Sequence, residues 1–337
     1  MGLDLSDTLV IGITATALFD LSEADKIFRE KLDEDKDTAI REYRNYMLER
    51  EDKPLDDGTG MPLVKALLNL NKYKKETDKN LLVEVVVMSR NSPETGIQVF
   101  NNIRSRELPI TRHAFTGGES VTDYLEAFDV DLFLTTNLKD AQKVRDDNVC
   151  AVALVKEPPS DMEKIPEGQV RIAFDGDAVI FDEKSEIVYK AEGIESFYEN
   201  ENSKQDIPMD EGPYASLLRK LSRLQDRLPF SVEYSPVRIA IVTARNTPAE
   251  MRVIKTLRAW GVYVDEIFFL GGLDKSKILR AFKAHIFFDD QDVHLDETSH
   301  YIPSGKVPCN SNSVLNKNQK VSKDIVFKKA QQVRGEE

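Results

Sequence analysis

Cysteine is scarce. The 337 residues hold two, Cys150 and Cys309. Two thiols that far apart make neither a disulfide framework nor a zinc cluster, and both are expected to be ordinary reduced thiols of a cytosolic protein. Long apolar runs are missing too. No stretch approaches the ~20 residues of a membrane span, and the N-terminus lacks the charged-then-apolar pattern of a signal peptide. Met1-Gly2 with Ser6 fits the start of a myristoylation pattern. Asp4 and Asp7 bring charge of the wrong sign for an anionic surface, so lipidation is not expected. Positive charge is in deficit: 46 Lys and Arg stand against 59 Asp and Glu, a net charge of -13. That balance argues against a nucleic-acid polymer or a membrane as the main partner. It leaves room for a local basic pocket that holds a small anion.

What is present is an ordinary globular composition, 41% hydrophobic and 31% charged. The length predicts two domains or one large α/β domain. A chain of this size buries roughly 75% of its unfolded surface and needs no disulfide or metal staple.

An internal repeat organises the chain. FTGGESVTDYLEAFDVDLFLTTN precedes residue 138, and FLGGLDKSKILRAFKAHIFFDDQ occupies 269–291. Gly117 maps to Gly271 and Phe128 to Phe282, both at an offset of 154. DKPLDDG at 52–58 maps to DIPMDEG at 206–212 at the same offset. SRNSPE at 89–94 maps to ARNTPA at 244–249 at 155, and VIGITATALFD at 10–20 maps to VRIAFDGDAVIFD at 170–182 with a small indel. Two tandem copies of one α/β unit explain four ordered matches. Each copy reads as a strand (9–14; 170–175), a helical excursion, an amphipathic helix (63–73; 214–228) and a strand (83–89; 238–243). A helix (93–105; 248–260), a short strand into a Gly-Gly turn, a helix and a last strand (131–135; 285–289) complete it. Apolar strands alternating with helices predict two tandem Rossmann-like units whose parallel sheets are covered by helices. Ligands are then expected beyond the carboxyl ends of the strands.

The second copy carries charges there that the first lacks. Its first strand ends in Asp175-Gly176-Asp177. Residues two apart on an extended chain point the same way, and two such carboxylates need a cation or a shared proton. The HIFF strand ends in Asp289-Asp290, so three or four carboxylates converge, a set that suits Mg²⁺. Thr243 ends the IAIVT strand ahead of Ala244 and Arg245, a hydroxyl and free amides where a phosphate would sit. Lys275 follows the Gly271-Gly272 turn and supplies a fixed positive charge. The first copy has Thr14 and Thr16 for Asp175 and Asp177, Met88 for Thr243, Val121 for Lys275, and Thr135-Thr136 for Asp289-Asp290. The scaffold persists without the acids, so the acids are assigned to function. An EF-hand reading from Asp175 fails because Ile180 stands where that loop needs glycine.

FDGDAV, VTARN, GGLDK and FFDDQ together resemble the four ordered motifs of haloacid-dehalogenase-type phosphohydrolases. More closely, roughly residues 8–310 resemble the type I cytosolic 5′-nucleotidases, with a degenerate first unit. The resemblance implies a Mg²⁺-dependent 5′-nucleotidase. Asp175 would be the nucleophile that takes the phosphoryl group, and Asp177 the general acid and then base. Mg²⁺ would bind Asp175, the Asp177 carbonyl and Asp289, with Asp290 in the inner or outer sphere. Thr243 and Lys275 would hold the phosphoryl oxygens. It also implies a purine nucleoside monophosphate, AMP or IMP first, and a cytoplasmic protein. Ala244, Arg245 and Asn246 are expected beside the substrate, though helix capping and solvated charge compete for Arg245 and Asn246. A phosphatase for another small phosphomonoester and a non-catalytic nucleotide sensor are the alternatives.

The expected domains are a degenerate unit over 1–158, with Pro158-Pro159 at its border, a catalytic unit over 159–315, and a polar, disordered tail over 316–337. A small cap is expected at about 183–213, where Phe197 and Tyr198 either pack or stack on a base. LDEDKDTAI at 32–40 reads as an insertion in a helical excursion. The first unit is expected to be a structural partner or a nucleotide-effector site, and a homo-oligomer is left open. His285 reads as structural, and His294 as near enough to approach the site.

Overall fold

The structure is a computed structural model that describes residues 4–32, 35–162, 164–229, 235–316 and 323–335. The first copy of the repeat supplies β1 (Leu9–Thr14), β2 (Val83–Ser89), β3 (Arg112–Phe115), β4 (Leu132–Thr135) and β5 (Ala151–Val155). The second supplies β6 (Val170–Phe174), β7 (Val237–Thr243), β8 (Glu266–Phe269), β9 (Ile286–Asp289) and β10 (Ser304–Lys306). All ten lie in one sheet, ordered β3-β2-β1-β4-β5-β10-β9-β6-β7-β8. Every pairing is parallel except β5 with β10. The protein is thus α/β, with a mostly parallel sheet covered by helices, consistent with a Rossmann-type fold.

The strands read as near-continuous apolar runs because helices cover both faces. LVIGIT of β1 is buried at every position. Phe174 of β6, Phe288 of β9 and Tyr214 pack ring against ring beneath the second half, with Phe174 and Phe288 stacked at 5.5 Å between centroids. The antiparallel β5–β10 pair reverses the direction of one half-sheet relative to the other. The carboxyl ends of β1, β2 and β4 therefore lie at one edge of the sheet, and those of β6, β7 and β9 at the opposite edge.

Register corrects one assignment. Ser89 pairs with Phe115 in β3 as Thr243 pairs with Phe269 in β8. In each half the hydroxyl also accepts from the backbone N–H two residues on, at 3.2 Å. The counterpart of Thr243 is therefore Ser89, not Met88. The offset changes from 154 to 155 just after the strand, through the extra Ala244, and not before it.

Two other expectations fail. The first copy has no helix matching Lys275–Phe282; it has short 3₁₀ turns at Thr122–Tyr124 and Glu126–Phe128. Asp274 caps the Lys275 helix by accepting from the Ser276 N–H at 2.8 Å. Its counterpart, Ser120, accepts from the Thr122 N–H only at 3.4 Å and meets the Thr122 hydroxyl at 2.8 Å, and β-branched Val121 and Thr122 favour a helix less. The tail expected to be disordered forms a helix over Lys323–Arg334. Ala330 is buried there and Val333 packs with it against Ile187 and Val188. Arg334 Nη1 donates to Glu192 Oε2 at 2.6 Å. A composition count does not reveal that a distant helix supplies the apolar partner. Residues 317–322, 336 and 337 of that tail lie outside the described residues.

The LDEDKDTAI stretch joins two helices, Ser22–Leu32 and Lys36–Glu49, and Asp35 caps the second by accepting from the Thr38 N–H at 2.8 Å; residues 33 and 34 lie outside the described residues. In the second half the matching excursion is a helical pair, Lys184–Glu192 and Ile194–Ser203.

Candidate active site

Three strand ends build the site. The Asp175 N–H, just past β6, donates to the Phe288 carbonyl of β9 at 2.8 Å, which fixes the chain where it leaves the sheet. Gly176 follows because a side chain there would crowd β7: an added Cβ would lie 3.2 Å from Thr243 Oγ1. Asp177 and a left-handed Ala178 (φ 60°) complete a turn that aims the second carboxylate back toward β7. At the head of its helix, Lys275 follows a Gly-Gly turn whose φ angles, 58° and 87°, suit glycine.

Lys275 Nζ reaches Asp175 Oδ1 at 2.8 Å and Asp289 Oδ2 at 2.7 Å. All three residues are buried. Asp289 Oδ2 also lies 2.9 Å from His294 Nδ1, and its Oδ1 accepts from the Gln291 N–H at 2.8 Å. Burial pushes the Asp175 carboxyl up to about 7, with the Lys275 charge opposing. Burial pushes Asp289 the same way, but Lys275 and His294 outweigh it and hold Asp289 below its ordinary value. Asp290 is raised well above the carboxylate range, by burial first and then by the negative charge of Glu186, Asp175 and Asp289. Burial works against the Lys275 charge, and its two acids more than compensate.

Asp175, Asp289 and His294 present ligand atoms within 4.8 Å of one another. Lys275 pairs with Asp175 and Asp289, and the Asp290 carboxyl next to them has no ion pair of its own among the described residues. Among the described residues, Asp290 Oδ1 and Glu186 Oε2 are buried without a hydrogen-bond partner. Buried oxygens with unspent lone pairs in an acid-rich cluster fit a hard divalent cation.

The remaining expected residues stand at the end of β7 and just beyond it. Thr243 is buried behind Gly176, and Ala244 is exposed. Arg245 is buried and turned away from open solvent: Nε and Nη2 donate to the two Asp177 oxygens at 2.8 and 2.6 Å, and Nη1 donates to Glu201. Asn246 Oδ1 accepts from the Tyr198 hydroxyl. Phe197 is packed, its ring under the Arg245 guanidinium at 5.3 Å. Glu186 and Glu201 are buried site neighbours that sequence reasoning missed. For Glu201 the available signal was an aromatic residue at helical spacing, Phe197 four before it.

The first half provides a built comparison. Where the second has acids, Thr14, Thr16 and Thr136 bond one another, with Oγ1 separations of 3.2 and 2.6 Å. A groove of about 1300 Å³ runs between the halves. It touches the acid cluster at Asp290 and Glu186 and takes Arg145 and Asn148 from the first half, but Asp175 does not line it.

A family profile described as 5′-nucleotidase matches residues 1–314. The chain is also 32% identical over 295 residues to human cytosolic 5′-nucleotidase 1B, an alignment that covers 86% of this chain and 47% of the relative. The chain thus spans about half the length of that curated relative. No solved structure matches the chain significantly. The chain belongs to the 5′-nucleotidase family.

Proposed function

We propose that this member of the family hydrolyses nucleoside 5′-monophosphates, AMP or IMP first, to nucleoside and phosphate through an aspartyl-phosphate on Asp175, with Mg²⁺ as cofactor. The carrying observation is Asp175 held 2.8 Å from Lys275 at a strand end, beside Asp289 and an unpartnered Asp290 oxygen. A nucleophile so placed attacks phosphorus while its partner cation steadies the phosphoryl oxygens. Asp177, two residues on, protonates the departing ribose oxygen and then takes a proton from the water that cleaves the acyl-phosphate. Thr243 backs the turn and offers a hydroxyl to the transferred group. Asp175, Asp289, Asp290 and the Asp177 carbonyl are the residues that would hold the ion. Mg²⁺ bound there neutralises the clash of one anion attacking another.

Purine preference rests on the resemblance of the motifs and not on a contact. The relative's name also supports a cytosolic setting, and no helix among the described residues is long and apolar enough to cross a membrane. The first half, with hydroxyls in place of acids, is read as a structural partner. The test is phosphate release from AMP, IMP, CMP and a sugar phosphate, with Mg²⁺ or EDTA. Fastest Mg²⁺-dependent release from a purine monophosphate is the expected result. Release from the sugar phosphate alone would keep the chemistry and change the substrate, and no release by the folded protein would favour a sensor.

A further inference from the structure

Asp177 does not stand alone at its turn. Both of its oxygens are taken by one guanidinium, that of Arg245, at 2.8 and 2.6 Å. The third nitrogen of that fork, Nη1, reaches Glu201 on the Ile194–Ser203 helix. The Arg245 side chain is 1% exposed and that of Glu201 is 0%. Glu201 is itself held by Arg252 Nη1 at 3.0 Å, Ser185 Oγ at 2.8 Å and Asn200 Nδ2 at 3.0 Å. The next residue, Asn246, is gripped by Tyr198 of the same helix. A planar guanidinium that holds two carboxylates at fixed angles cannot release or turn one without shifting against the other.

We propose that Arg245 is a positioning residue that sets the orientation of Asp177 according to how the Ile194–Ser203 helix is seated through Glu201. This rests on the reading of Asp177 as the proton-transfer group. Arg245 touches neither substrate nor reacting atoms; it acts through Asp177. With Glu201 in place, the fork holds Asp177 at the angle the turn gives it. When the helix lifts, Arg245 loses its second anchor and Asp177 loses its fixed direction. The seat of that helix thereby sets the direction of the proton-transfer group.

A double-mutant cycle on the full chain tests this, read as single-turnover rates on AMP with enzyme in excess and Mg²⁺ saturating. Arg245→Lys keeps the charge and removes the fork; Glu201→Gln keeps the size and removes the charge. Each is expected to slow the chemical step roughly 10- to 100-fold, inside the range that general acid–base catalysis supplies, with KM changed less than about threefold. In the Asp177→Asn background neither is expected to cost more than about twofold further, because the group they act through is already gone. Losses that multiply in that background would overturn the proposal and make both residues structural. Glu201→Gln provides the test on its own should Arg245→Lys fail to fold, and the reverse holds too. Wild-type protein that hydrolyses AMP no faster than Asp177→Asn would instead sink the underlying reading of Asp177.

Discussion

The Lys275 ammonium stands 2.8 Å from Asp175 Oδ1, with Asp289 on its other side at 2.7 Å. One buried cation thus serves two buried acids; removing it leaves Asp289 with His294 and the Gln291 N–H but takes from Asp175 the ammonium that pairs with it. Lys275→Met is expected to lower kcat by roughly 10²- to 10³-fold, the scale for losing a group that stabilises transition-state charge. Without a divalent ion it should also cost about 3–5 kcal/mol of stability. Urea unfolding followed by Trp260 fluorescence reads the second effect. Trp260 is the single tryptophan and packs against Phe181 and Arg219.

Unspent oxygens on Asp290 and Glu186 make divalent-ion binding measurable without turnover. Mg²⁺ at about a hundred times its Kd is expected to stabilise the native state by roughly 2.7 kcal/mol. Thermal melts in Mg²⁺ and in EDTA should separate for the wild type and coincide for Asp289→Asn. Equal separation in both would move the ion elsewhere.

Because the two half-sheets run in opposite directions, the Thr14–Thr16–Thr136 cluster lies at the edge of the sheet remote from Asp175. Thr136→Val is expected to leave kcat and KM for a nucleoside monophosphate within about twofold. A larger change, with stability unaltered, would give the first half a part in the reaction.

Acid stability should carry a histidine signature away from the site. Burial first, and the Arg171 charge second, push His285 from 6.5 down to about 4. Its Nδ1 accepts from the Arg171 N–H at 3.0 Å, a bond that needs the neutral ring. Between those values the unfolded chain binds the proton and the native chain does not, so stability rises with pH. The contribution is complete above about 6.5 and shrinks as pH falls toward 4. It approaches about 3 kcal/mol from this group alone. Urea midpoints at pH 7 and pH 5 should diverge in the wild type, and by less in His285→Gln.

The repeat made much of this architecture legible. Offsets between Gly117 and Gly271 and between Thr135 and Asp289 belong to strand ends and turns, where spacing is fixed by the sheet. The acids stood out because the first copy folds without them. Ser89 was misplaced because a one-residue change of offset next to a strand end leaves both alignments plausible in letters, and only the pairing with Phe115 decides. The partners of Arg245 were not legible. Asp177 is 68 residues away and Glu201 is 44 away, and no periodicity links the three. The same holds for the last helix, whose apolar stripe is meaningful only against Ile187 and Val188. Single-copy contacts between distant segments leave no spacing signal, whereas repeated ones do.

The central claim is that Asp175 takes the phosphoryl group. Rapid acid quench of the enzyme with 5′-[³²P]AMP and Mg²⁺, followed by peptide mapping, tests it most directly. The account predicts label on the peptide containing Asp175, labile to hydroxylamine as an acyl-phosphate is, and none in Asp175→Asn. Rapid phosphate release with no labelled protein at any quench time, or label retained in Asp175→Asn, would contradict it.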